Sequence, residues 1–153
     1  MARVKSAGLL LYRIRGGQLE ILAVHPGGPY WSKKDRGSWF VPKGEIEPGE
    51  DEFSAATREF HEETSIAPHG PFLDLGEVMH KSGKLVHAWA FAGDCDPAKI
   101  VSNTFSIEWP PKSGKQQSFP EIDRAAFFDV AAAQEKLHPA EYEFVERLRA
   151  IVK

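Results

Sequence analysis

Residues Gly44 to Ile66 read GEIEPGEDEFSAATREFHEETSI, an acidic segment that starts on a Pro48-Gly49 turn. Beyond that turn no Pro or Gly occurs until Pro68. The Ala, Phe, Thr, Glu and Arg residues from Asp51 to Thr64 favour a helix, and its acidic start complements the positive end of the helix dipole. At about 100° per residue, Phe53, Ala56, Phe60 and Ala67 group on one side, while Glu59, Glu62 and Glu63 share a neighbouring sector.

Three anions on one edge repel one another by a few tenths of a kcal/mol per pair, and a helix that needed only solubility would interleave Lys among them. A divalent cation reverses that sign. Hard oxygen donors at this density suit Mg2+ or Mn2+, with substrate phosphates completing the coordination. Glu59 and Glu63, one helical turn apart, form the best ligand pair, and Glu62 completes the site. Arg58 is placed to hold the cluster's shape by pairing with Glu50 or Glu62.

A solvated acidic face is the ordinary explanation for a generic E-x-x-E-E. The wider spacing argues otherwise. Gly44, five residues, Glu50, seven residues, then Arg58-Glu59-Phe60-x-Glu62-Glu63 resembles the signature of the Nudix hydrolases at every position but one. The family pattern has Gly where this chain has Ser65. A left-handed turn there costs Ser about 1 kcal/mol relative to Gly.

The resemblance implies an α/β/α sandwich with a mixed β-sheet, laid out as a single domain over residues 1–153, and hydrolysis of a nucleoside diphosphate linked to another group. It adds the Gly44 carbonyl to Glu59, Glu62 and Glu63 as metal ligands. Glu121, shortly before a strand with an aromatic end, joins as a further ligand or as the group orienting the attacking water. The base is Glu59, Glu62 or Glu121; Glu50 mainly fixes Arg58. Ala7 to Arg13, Pro42-Lys43-Gly44 and the Glu121 region look most like the diadenosine-tetraphosphate hydrolase branch, which implies a dinucleoside polyphosphate or nucleoside triphosphate substrate. Other candidates are a diphosphoinositol polyphosphate, a capped RNA end, ADP-ribose, or a noncatalytic nucleotide-sensing module.

The chain is long enough for one domain with a real core, at 153 residues and 42% hydrophobic composition. Its formal net charge of −3 argues against general nucleic-acid or membrane binding, so a small-molecule substrate must be recognised locally. Oligomeric state is not encoded in any readable pattern. The single cysteine, Cys95, excludes an internal disulfide and fits a reducing, cytoplasmic setting. No apolar run approaches the roughly 20 residues that span a bilayer, and Met1 to Lys5 is not followed by a signal-peptide hydrophobic region.

Outside the acidic segment, Ser6 to Arg13 and Leu19 to His25 flank Arg15-Gly16-Gly17-Gln18 as a hairpin, and the continuous Leu9-Leu10-Leu11 run suggests burial on both faces. Lys33, Lys34 and Arg36, between Trp31 and Trp39, are placed to hold phosphates while the aromatics, Trp39 among them, stack a base; the competing reading puts Trp39 and Phe40 in the core with the Lys pair solvated. Trp39 to Pro42 forms a short strand leading to Lys43, the stronger phosphate ligand because it adjoins the acidic motif. A second hairpin spans Phe72 to His80 and Leu85 to Gly93, with His80 and His87 given no site role. A strand is expected at Thr104 to Trp109, followed by a flexible basic tip at Lys112 to Lys115. A short helix follows Asp129, and a longer one covers Pro139 to Ile151 with Tyr142, Val145, Leu148 and Ile151 as its apolar stripe.

Overall fold

A computed structural model describes residues 4–152; residues 1–3, part of the N-terminal stretch read above, and residue 153 lie outside the described residues. The spine is β1 (Lys5–Arg15), whose centre is fully buried on both faces. Leu10 points to one core, shared with Ile21, Ala23, Phe144, Val145 and Leu148. Ala7, Leu9 and Leu11 point to the other, against Ala55, Ala56 and Phe60. Successive side chains of a strand alternate between faces, so an all-apolar run is what a sheet between two helical layers requires.

β1 hairpins through Gly16-Gly17 onto β2 (Gln18–Pro26). Next come β3 (Lys43–Glu45), α1 (Glu52–Thr64), β4 (Leu73–Met79) and β5 (Leu85–Ala92). After a short 3-10 turn, β6 (Thr104–Glu108) and β7 (Gln116–Pro120) form a separate two-stranded ribbon, and β8 (Ile122–Asp129) returns to the main sheet. α2 (Val130–Lys136) and α3 (Pro139–Ile151) close the chain. The main sheet runs β4-β5-β1-β2-β8, with β3 also paired to β1. Only β1 and β5 run parallel within it, which makes the sheet mixed. The two helical layers give the expected α/β/α sandwich.

β1 changes partner along its length. Its first residues pair with β3, Ser6 with Glu45 and Gly8 with Lys43, and its last residues pair with β2 from Tyr12 onward. The sheet therefore opens beside Lys43 and Gly44, and α1 packs over β1 and β3 at that opening.

Three local expectations need correction. Ala67 is exposed and follows the end of α1, because the chain turns left-handed at Ser65. Trp39 to Pro42 is not a strand; Trp39 and Phe40 make single bridges to Leu137 and Val24. On α3 the buried positions are Glu141, Phe144, Val145 and Leu148, while Ile151 is 51% exposed. The stripe is rotated because Phe144 enters the core and the Glu141 carboxylate turns inward to Val41, Lys43 and His80.

Candidate active site

α1 begins at Asp51, whose carboxylate accepts from the Ser54 amide at 3.0 Å, a standard N-cap. It ends at Ser65 with φ 66° and ψ 12°, where the Ser65 amide donates to the His61 carbonyl at 2.8 Å. The left-handed turn expected of the signature is present without its usual glycine. Ser65 Oγ donates to the Val101 carbonyl at 2.6 Å, a contact glycine lacks, which offsets the conformational cost.

Between those caps, Arg58 forms a planar fork with Glu50, Nε to Oε2 at 2.8 Å and Nη2 to Oε1 at 3.0 Å. Its Nη1 reaches Glu59 at 2.9 Å and Glu62 at 3.2 Å. The two pairings left open in the sequence coexist, because a guanidinium presents five donors in one rigid plane. Glu50 is held well below the usual carboxylate range by Arg58, and Arg58 is held firmly protonated by Glu50.

Glu59 and Glu63 point inward toward β3. Gly44 lies directly under the Glu59 carboxylate, so close that a β-carbon at residue 44 would stand 2.0 Å from the Glu59 carboxyl carbon. Glu63 is 7% exposed, and burial pushes its carboxyl up to about 8 despite the Lys43 ammonium nearby and a main-chain hydrogen bond from Lys43. Burial also raises Glu59, and the charges of Glu62 and Glu121 add to that rise. Glu121 itself is exposed and lies near enough to both Glu59 and Glu63 to be felt by them. Two desolvated carboxylates with incomplete compensation form a donor set that fits a hard dication.

Among the described residues, the three donors that converge within 4.8 Å of one another are a different group: Glu52, Glu77 and His87. That cluster already holds a cation of its own. Lys5 bridges Glu52 at 2.9 Å and also pairs with Glu77, while His87 spans Glu52 and Asp74 at 2.7 Å each. An ammonium thus sits where a cation would go, whereas burial leaves the Glu59 and Glu63 carboxylates undercompensated.

Lys43 lies beside Glu63, but its Nζ pairs with Glu141 at 2.9 Å and sits 4.4 Å from the centre of the Phe40 ring. Glu141 is fully buried and also accepts from the Val41 amide and pairs with His80 Nε2, each at 2.8 Å. Burial alone would raise its carboxyl, yet Lys43 and His80 pull it down to about 2. Lys84, in the turn before β5, is half-buried; burial and the neighbouring Lys43 lower its affinity for a proton, and Glu141, Glu45 and Glu63 lie within reach of its charge. Glu141 and Lys84 carry no local motif.

The Trp31 to Trp39 loop divides. Lys33 is exposed, and Lys34 is exposed with its ammonium 4.9 Å from the centre of the Trp31 ring. Trp39 is the correction: it is 6% exposed, packs edge-on against His25 and Phe128, and donates from Nε1 to Asp35 at 2.8 Å. Its ring belongs to the core and offers no face to a base.

The NUDIX domain model matches residues 2–148 of this chain. An asymmetrical bis(5'-nucleosyl)-tetraphosphatase of Caenorhabditis elegans is 43% identical over 79 residues, covering 52% of this chain and 51% of that protein. The chain thus matches about half the length of that curated relative. Among solved structures, a binary complex of a C. elegans Ap4A hydrolase superposes with TM-score 0.66 at 24% identity, covering 97% of each chain. The NUDIX domain of Shewanella oneidensis NrtR, complexed with ADP ribose, gives TM-score 0.67 at 15% identity, covering 100% of this chain and 90% of that one. At these identities the superpositions establish the fold. Among the described residues, no helix is long and apolar enough to cross a membrane.

Proposed function

Since this chain belongs to the NUDIX-domain family, we propose that it is a divalent-metal-dependent hydrolase of a phosphoanhydride bond in a nucleoside polyphosphate, with a dinucleoside polyphosphate or nucleoside triphosphate as its substrate. The observation that carries this is the burial of Glu63 and Glu59 beneath an intact acidic signature, which leaves their charge to be neutralised by a cation. The relative from C. elegans supports the choice of nucleoside polyphosphates.

Glu59, Glu63 and the Gly44 carbonyl would hold Mg2+ or Mn2+, with the half-buried Glu62 completing the set. A cation bound there supplies neutralisation of phosphate oxygens and a more acidic water. The chain's own part is positioning. Arg58, locked by Glu50, fixes the rotamers of Glu59 and Glu62. Lys43 and Lys84 place positive charge beside Glu63, where the negative oxygens of a phosphate chain repel a nucleophile in solution. Glu62, half-buried, and Glu121, exposed, are positioned to take the proton of the attacking water. The half-buried Cys95 thiol, raised by burial, takes no part and suits the reducing cytoplasm.

Purified protein with Mg2+ should release product from at least one of diadenosine polyphosphates, nucleoside triphosphates, ADP-ribose, diphosphoinositol polyphosphates and capped RNA. Relative kcat/KM ranks them, and mass spectrometry of products formed in 18O-water identifies the phosphorus attacked. Absence of product from every member, with Glu63→Gln behaving identically, would overturn the proposal and leave a noncatalytic nucleotide-sensing role.

A further inference from the structure

Lys43 stands in a closed circuit of side chains drawn from three segments of the chain. Its Nζ pairs with Glu141 at 2.9 Å, and Glu141 pairs with His80 Nε2 at 2.8 Å. The His80 ring stacks on His138 at 4.3 Å between centres, His138 stacks on Phe40 at 5.6 Å, and the Phe40 ring centre lies 4.4 Å from the Lys43 ammonium. His138 is the titratable member to which the hydrolytic reading gives no part.

The His138 ring has a second duty. It is the N-cap of α3: Nδ1 accepts from the Ala140 amide at 3.2 Å, while the His138 carbonyl accepts from the Glu141 and Tyr142 amides at 2.9 and 3.1 Å. A ring nitrogen accepts from an N–H only while it carries no hydrogen, so this cap exists for the neutral imidazole with its proton on Nε2. Glu141 lies in the first turn that the cap starts. The place of the Lys43 anchor therefore depends on the state of His138.

A proton on that ring would meet mostly positive neighbours. The charged and titratable groups that bear on it are His80 and Lys81 in the turn after β4, Lys43 beside Phe40, and Glu141 on α3. Glu141 is the carboxylate of that group, and it is already shared by Lys43, His80 and the Val41 amide. Partial burial, and after it the neighbouring His80, hold His138 below the ordinary imidazole value of 6.5.

We infer that His138 is a positioning residue: its neutral ring caps the turn of α3 that carries Glu141 and so holds Lys43 in place, and protonation of the ring releases that hold. Positive charge on His138 removes the acceptor of the Ala140 amide and pushes against His80 and Lys43, the two groups that Glu141 gathers. The latch rests on these contacts alone; its effect on a phosphate chain, through Lys43, rests on the hydrolytic reading above.

The sign of the pH dependence follows from the lowered value. The stability that the neutral ring contributes is whole above about 6.5 and is lost as pH falls toward the folded value. The test compares the full chain with His138→Asn, which keeps an N-capping acceptor and takes up no proton, and with His138→Ala, which has neither property. 15N NMR of the imidazoles at pH 7.5 should show His138 with a bare Nδ1 and a protonated Nε2. In chelator, the melting temperature of the wild type should fall relative to His138→Asn between pH 7.5 and pH 5, and His138→Ala should melt below both at pH 7.5. Calorimetric titration with inorganic pyrophosphate and Mg2+ reads the Lys43 side. The quotient of the wild-type and His138→Asn Kd values, which cancels every titration the two proteins share, should be near one at pH 7.5 and rise about threefold or more at pH 5. A His138 ring protonated on Nδ1 at pH 7.5, a melting gap that does not change with pH, or a constant Kd quotient would each overturn the inference. The expected tautomer, melting gap and Kd quotient in a chain that turns over no nucleotide would leave the inference standing and remove the hydrolytic reading.

Discussion

Gly44 on β3 and Glu59 on α1 are in direct contact: a β-carbon added at Gly44 would stand 2.0 Å from the Glu59 carboxyl carbon and 2.1 Å from its Oε2. The Glu59 carboxylate can make room only by swinging away, which gives up its 2.9 Å bond to Arg58. Gly44→Ala should therefore displace Glu59 and lower kcat by about 100-fold or more while the chain still folds. Steady-state kinetics, with far-UV circular dichroism as the folding control, would show it. Unchanged kcat would mean that the contact has no bearing on turnover.

The second prediction concerns Glu63, whose carboxyl burial pushes up from an ordinary 4.5 to about 8. A carboxyl whose folded value is raised favours the protonated fold, so stability from this group is full below about 4.5 and is lost as pH rises to about 8. In chelator, Glu63→Gln should be more stable than wild type at pH 8 to 9, by about 2 to 4 kcal/mol, and the gap should close toward pH 5. Denaturant melts across that range measure the gap; a gap constant with pH would contradict the assignment.

Glu141 behaves with the opposite sign. Its carboxyl lies at about 2, so the contribution is present above about 4.5 and lost as pH falls toward 2. Glu141→Ala leaves Lys43 Nζ, His80 and the Val41 amide without their common partner, and should cost about 3 kcal/mol at pH 7. Glu141→Gln retains the shape and should instead raise KM more than it lowers kcat, because Lys43 loses its anchor. Urea melts and initial rates on the two variants separate the effects.

Ser65 tests the departure from the family pattern. Ser65→Ala keeps the left-handed strain and loses the hydrogen bond to Val101, a loss of about 1 kcal/mol. Ser65→Gly loses the same bond but relieves about 1 kcal/mol of strain, and should be near neutral. Glycine more stable than alanine is the expected order in thermal melts; the reverse order would mean that φ 66° carries no cost here.

Much of this protein is written locally. The Asp51 cap, the Gly16-Gly17 hairpin, Asp129 before α2 and Pro139 at the start of α3 are all present where turn and capping chemistry place them. Arg58 and Glu50 meet because a helix and one preceding turn bring them together. In each case the deciding interaction lies within a few residues, and the energy that selects it is available to a short peptide.

What the tertiary structure decided lies where distant segments compete for one space. The Val41 amide is capped by a carboxylate 100 residues further along, and that buried group reads in sequence as an ordinary exposed Glu on an amphipathic helix. Trp39 turns inward because His25, Asp35 and Phe128 surround it. Helical periodicity places Glu59, Glu62 and Glu63 on one edge without saying which are desolvated. Burial beneath the sheet opening makes Glu63 the strained member and leaves Glu62 half-buried against Arg58. Periodicity and caps are set by neighbours in the chain, whereas burial is set by whatever the rest of the fold packs on top.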